Sequence, residues 1–461
     1  MRNNFIRLGI LGTLIILCIW QTTILWLGDT SSHNFLGDTS SDVVTQPKEI
    51  WVNKSGLAYK IDGDNDQGRL GLLIELASEM KKGQYKIASE DQYTYAQLLA
   101  RQGFVYEYGL SLSLDEILGF TINKENSKKE MDKISEIFID ISESDSYRNY
   151  IYLINEKQKV TAKVTLEGRL ELHNKTIKHY NDENKIEGVK TYQASLLNTN
   201  YSLFSNYSNA FLKNVFYPLD NQNLPIPYKE LYIKPIITGK TEAEQINQLE
   251  SYINVFFKNP LYKDYSITPD GIVFSDSLNL NIRYSNEGVL EFKKLITGDT
   301  IKLSAVEKMN KINNFIAESE AIPEQLKKGL YLKQIVEDEK SGETIYRFGY
   351  RYEDFEVLLT DHVKTELKTN EFLELAIKSN QIVRGSWLML ELEMINKDVA
   401  SYKELTREVK GAINDTLQLC NISDLEADPL DYIECAYIIQ SVESKIDFDW
   451  ASLFEDEWYF P

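Results

Sequence analysis

The segments TEAEQINQLESYINVFFKNP (residues 241–260) and LNLNIRYSNEGVLEF (residues 278–292) carry two different hydrophobic periods. In the first, Ile246, Leu249, Ile253 and Phe256 recur at helical spacing. Thr241 and Glu244 fit a capping box, in which hydroxyl and carboxylate each satisfy a free amide of the first turn. Asn259-Pro260 ends the run. In the second segment Leu278, Leu280, Ile282 and Tyr284 alternate, residues 285–288 turn the chain, and residues 289–292 return. The pair reads as a helix followed by an antiparallel hairpin.

The same order recurs on the C-terminal side. Ser304 and Glu307 form a second box, with Val306, Met309, Ile312 and Ile316 on one helical face. Tyr346, Phe348, Tyr350 and Tyr352 then alternate as a strand. Ser401 and Glu404 form a third box, expected to open a helix along Leu405, Val409, Ile413 and Leu417. Residues 432–439 and an aromatic end (Phe448, Trp450, Phe454, Trp458, Phe460) follow.

On the N-terminal side, residues 70–80 have helical spacing, and residues 104–108, 137–139 and 150–154 read as strands. Val160, Ala162, Val164 and Leu166 alternate, Glu167-Gly168 turns, and Leu170 and Leu172 resume the period, which predicts a hairpin. Runs of helix followed by hairpins predict an α+β class with antiparallel sheets, each carrying its helices on one face. The expected organisation is an ectodomain over residues 48–218, a middle α+β domain over 219–303 and a C-terminal one over 304–461.

Ahead of these lies LGILGTLIILCIWQTTILWLG (residues 8–28), which has no charged side chain. As a helix its 21 residues span about 31 Å, the thickness of a bilayer's hydrocarbon core. Arg2 and Arg7 precede it and no Lys or Arg follows until Lys48, so the amino terminus is expected in the cytoplasm and the rest outside. The exit lacks the small-x-small pattern of a cleaved signal, which favours a retained single-pass anchor. Residues 29–47, with GDTSS at 28–32 and again at 37–41, read as a polar juxtamembrane linker.

Composition bounds the function. The 461 residues hold 50 Lys and Arg against 70 Asp and Glu, a formal charge of −20. Such a balance repels phosphate backbones and sets nucleic-acid binding aside. Three cysteines make neither a disulfide scaffold nor a thiolate cage, although Cys420 and Cys435 could pair outside the cell. No cofactor or metal site is expected from the four scattered histidines, His173 and His179 included.

Short motif matches fail on their chemistry. Residues 62–66 (DGDND) begin like a calcium loop, but Gln67 replaces the turn glycine and Leu73 the bidentate Glu. Gly239-Lys240-Thr241 lacks the upstream glycine of a phosphate loop and reads as a strand end and helix cap. Ser78 and Lys81 match Ser-x-x-Lys without the companion elements of penicillin-recognising enzymes. No catalytic set emerges.

The anchor, the stretch FVYEYGLSLSL (residues 104–114) and the strand pair ISEIFI (134–139) and YIYLIN (150–155) together resemble the YycH family. These are accessory regulators of the WalK/WalR two-component system in low-GC Gram-positive bacteria. The family's proline at the strand-to-helix turn is missing near Gly109, and residues 458–461 only loosely match its closing aromatic strand. The resemblance implies three α+β domains, the later two related to each other. It also implies an extracytoplasmic protein that binds a WalK-like sensor histidine kinase together with a YycI-like sister protein and shifts cell-wall gene expression. Gly9, Thr13, Ile16, Trp20 and Thr23 recur at three- and four-residue steps on one side of the anchor and are the candidate membrane helix–helix contact. The expected function is therefore regulation by protein contact, without catalysis. The alternatives are a cell-envelope enzyme acting on peptidoglycan through carboxylates, and an extracellular adhesion or ligand-binding module.

Overall fold

Two large sheets share one apolar core in the computed structural model of the chain. The structure describes residues 44–459 apart from 55–56, 62–65, 91, 100, 124–132, 141–148, 156–158, 167–190, 197–215, 219–225, 258–259, 277–278, 296–301, 354, 396–400, 404–431, 443 and 455–456.

The first sheet is built from β1 (Glu49–Lys54), β2 (Leu57–Ile61), β3 (Tyr85–Ser89), β4 (Gly103–Leu112), β5 (Ile134–Asp140), β6 (Asn149–Ile154), β7 (Val160–Leu166), β8 (Thr191–Leu196) and β9 (Phe216–Pro218). Its order is β3-β7-β6-β5-β4-β1-β2-β8-β9, antiparallel throughout. Helices α1 (Asp66–Lys81), α2 (Tyr95–Leu99) and α3 (Leu114–Leu118) belong to it. Alternation in β4–β6 sends Tyr106, Ile137, Ile139, Ile151 and Leu153 to the α1 and α3 side. The residues between them, Val105, Phe138 and Tyr152, pack with Tyr95 and Leu98 of α2 on the other face. Helices on one face were expected here; burial of both alternating sets requires a cover on each side, and α2 supplies the second.

The short strands β10 (Ile226–Tyr228) and β11 (Leu231–Pro235) lead to α4 (Glu242–Ile253). The second sheet contains β12 (Asp264–Thr268), β13 (Gly271–Ser275), β14 (Leu280–Ser285) and β15 (Val289–Lys294), then, after α5 (Ala305–Glu318) and α6 (Glu324–Gly329), β16 (Leu330–Asp338), β17 (Glu343–Tyr352) and β18 (Phe355–Leu359). Past α7 (Asp361–Leu367) come β19 (Leu373–Lys378) and β20 (Gln381–Leu388). β21 (Leu390–Met394) pairs with β11 and β22 (Ser401–Lys403) with β10. The sheet ends with β23 (Tyr432–Ile439), β24 (Asp447–Phe454) and β25 (Glu457–Tyr459). Its order is β12-β13-β14-β15-β20-β19-β17-β18-β23-β24-β25, with β16 beside β17. The β18–β23 ladder is parallel and the others are antiparallel.

Local chemistry sets the helix starts. Thr241 and Ser304 each accept from the amide three residues on, while Glu244 and Glu307 accept from the cap's own amide. Gly288, at φ 89°, makes the turn between β14 and β15. Phe256, Phe292, Phe315 and Trp387 meet ring to ring and join the 3-10 turn after α4 (Asn254–Phe256) and α5 to β15 and β20.

One expectation changes. Ser401 is a strand residue opposite Tyr228, so no capping box opens there, because a ladder to a distant strand takes up its backbone; residues 405–417 lie outside the described residues. Both edges of β7 are occupied, by β6 and β3; Leu170 and Leu172, read as its return strand, lie outside the described residues. In the second sheet β15 and β20, which lie on either side of residue 303 in the sequence, pair directly. Among the described residues no helix is long and apolar enough to cross a membrane, and residues 8–28 lie outside them.

Candidate functional site

The two sheets meet where β4 passes β16, and glycine permits the approach. A Cβ on Gly109 would sit 2.6 Å from the Leu332 carbonyl oxygen and 2.8 Å from the Tyr331 ring. On the opposite side a Cβ on Gly349 of β17 would collide with the same ring. Tyr331 therefore occupies a slot floored by two residues without side chains. Its hydroxyl donates to Glu356 Oε1 on β18.

Around that hydroxyl lies a buried ionic cluster gathered from both sheets. Arg351, 4% exposed, presents Nη1 to Glu49 Oε1 at 2.7 Å, Glu356 Oε2 at 3.2 Å and Glu434 Oε2 at 3.4 Å. Lys48 Nζ lies 3.6 Å from Glu356 and 3.7 Å from Glu434, above the rings of Tyr331 and Trp458. Three carboxylates thus share two cations in a largely buried site. Burial of a charge is costly unless such partners are present.

Titration follows from that imbalance. Burial pushes Glu434 above the usual carboxylate range, and the attraction of Arg351 and Lys48 does not cancel it. For Lys48, burial acts downward, but Glu356 and Glu434 outweigh it and hold the ammonium above the usual lysine range. The Tyr331 phenol stands well above its ordinary value, by burial first and Glu356 second. Chemically the cluster can hold a shared proton and fix two sheets in register. Among the described residues no group of His, Cys, Asp and Glu is arranged to hold a metal.

The chain entering from the N-terminal side is fastened to this junction. The Thr45 amide donates to the Ile117 carbonyl at 2.9 Å and its hydroxyl to that of Glu116 at 2.8 Å. From α5, Asn313 Nδ2 donates to Thr45 Oγ1 at 3.2 Å and Asn310 Nδ2 to the Gly119 carbonyl at 2.6 Å. α3 is held in place for this by its own capping box, Ser113 with Glu116, and by Gly119 at φ 78°. Two cavities flank Tyr331. One, about 330 Å³ and apolar, is lined by Leu70, Ile74 and Ile316; the other, about 300 Å³, opens over Lys48 and Arg351.

The sequence-predicted contact residues Gly9, Thr13, Ile16, Trp20 and Thr23 lie outside the described residues, as do Cys420, His173, His179 and residues 62–65. Cys435 is buried on β23. Ser78 is exposed on α1, and Gly239 leads into the Thr241 cap. The junction residues were not singled out from sequence. Their signal was a charge inside an otherwise apolar strand: Glu356 in FEVLL, Glu434 in YIECAYII and Arg351 between Tyr350 and Tyr352.

By sequence, no known family and no curated protein matches the chain. By structure, the crystal structure of YycH from Bacillus subtilis matches 92% of this chain and 98% of its own, with TM-score 0.53 and 13% identity. An uncharacterized protein from Eubacterium rectale aligns over 52% of this chain and 81% of its own, with TM-score 0.33 and 10% identity. The chain has a YycH-like fold.

Proposed function

We propose that this protein is a single-pass, membrane-anchored accessory regulator. It binds a WalK-like sensor histidine kinase, together with a YycI-like sister protein, and biases the kinase that governs cell-wall metabolism. The observation that carries the reading is the YycH-like fold over nearly the whole of both chains. The apolar run at 8–28 supports the anchor, with the amino terminus cytoplasmic and the bulk outside.

A binding protein changes a kinase's output only if it binds the two signalling states with different free energy. The junction offers the means. The segment from the linker enters through Thr45 and Lys48, and Lys48 belongs to the ionic cluster that ties the sheets together. Displacement of that segment by a kinase helix packed on Thr13 and Thr23 would redistribute the cluster's ion pairs. Regulation of this kind needs no catalysis.

A photocrosslinking residue placed at Thr13 or Thr23 in native membranes is expected to capture a histidine kinase. Adducts to lipid alone would sink the proposal.

A further inference from the structure

Around β14, β15 and β20 the second sheet carries an open polar face. Its register lines up outward side chains across five strands: Arg283 beside Glu291, then Ser386, Glu374 and Arg347. A parallel row runs Asn281, Lys293, Arg384. Over these rows lies a cavity of about 920 Å³, closed at one corner by residues 368–370 after α7. Four strand spacings of about 4.8 Å make it about 19 Å long, the reach of roughly six extended residues.

Its charge runs against the rest of the molecule. Arg283, Lys293, Arg347, Lys368 and Arg384 face three carboxylates, in a chain that carries −20. Glu374 is already spent. It takes Arg347 Nε at 3.0 Å and Arg384 Nη1 at 2.6 Å, while Gln334 and Glu343 fix the same two guanidiniums from behind. The forks are thus oriented before any ligand arrives, and guanidinium forks match carboxylates. Lys293 and Lys368 make no ion pair among the described residues, and Asn279 and Lys368 at the rim hold left-handed backbones, φ 91° and 57°.

We propose that this trough docks an extended acidic peptide segment of a partner protein. Charge complementarity selects the occupant: a segment rich in Asp and Glu is repelled by the rest of the surface and attracted here. Asn281, Asn370 and Ser386 supply donors and acceptors for a peptide backbone, and Leu295, 59% exposed, supplies an apolar contact at the rim. The aromatic lining residue, Phe292, is buried toward the core, which leaves a sugar ring no face to stack on. This proposal stands whether or not the kinase reading holds.

The test uses the full-length chain in detergent and a fluorescein-labelled hexaglutamate peptide, read by anisotropy. Saturable binding that weakens as salt is raised is expected, and none by hexaglutamine. The exposed pair K293E and K368E, combined, should weaken affinity at least about tenfold, whereas K82E in the turn after α1, far along the chain, should change it less than about twofold. No saturable binding, equal affinity in the double variant, or saturation by an acidic oligosaccharide but not by hexaglutamate would overturn the proposal. Unchanged far-ultraviolet circular dichroism in the double variant separates lost binding from lost fold.

Discussion

The two sheets solve burial differently. In the first, β5 is buried at every position, and its alternate residues serve two cores. In the second, β14 and β15 alternate buried and exposed, with one face in the shared core and the other forming the trough. Strands covered on both sides are a scaffold, while the stretch of β14 and β15 left open on one side has surface to offer a partner. The two parts are tied together at the junction, where Arg351 pairs with Glu49 of the first sheet and with Glu356 and Glu434 of the second.

The sharpest way to break this comparison is to remove a large side chain from each sheet's second face. Phe138 is fully buried beneath α2, beside Tyr152, and Gly103 leaves room for its ring. Phe138→Ala should cost about 4 kcal/mol, because the cavity cannot collapse between two covered layers. Glu291→Ala, at the matching outward position of the second sheet, should stay within about 0.5 kcal/mol. Equal losses in urea unfolding would mean that both sheets are covered alike.

The junction comes next. Arg351→Met leaves Glu49, Glu356 and Glu434 facing one another with only Lys48 between them. A loss of about 3 kcal/mol or more is expected from stranded buried carboxylates. The loss should be smaller when Glu434→Gln is added, since one stranded charge is then removed. If Arg351→Met alone is silent, the cluster does not tie the sheets together.

Much of this architecture was legible because its causes are local. The helical and twofold periods, the capping boxes at Thr241 and Ser304 and the turn at Gly288 each lie within a few residues. The box read at Ser401 shows the limit: the same four-residue pattern yielded to a ladder with Tyr228, which no local window can see. The site failed for the same reason. Its members run from Lys48 to Glu434, and the trough's rows exist only once β14, β15, β20, β19 and β17 are in register. A local feature should also have a local cost. Thr241→Ala should lose about 1 kcal/mol in thermal unfolding and leave the first sheet unaffected; a larger loss would mean that the cap orders more than α4.

The smallest expected effect is a change of slope. Glu434 is raised above the usual carboxylate range by burial, against the attraction of Arg351 and Lys48 and with the repulsion of Glu49 and Glu356; the Tyr331 phenol also faces the cluster. A carboxyl raised on folding favours the protonated folded state. Its stabilising contribution is complete below its unfolded pKa and is lost as pH climbs through the folded one. Glu434→Gln holds the side chain neutral at every pH. Relative to wild type, the variant's melting temperature should therefore rise as pH goes up from the acid side, and level off once Glu434 is ionised. Lys48 is raised as well, but its contribution is lost only on the alkaline side and does not enter this window. A difference between the two proteins that stays constant with pH would mean that the carboxylate titrates as it does in water, and that burial at the junction does not hold its proton.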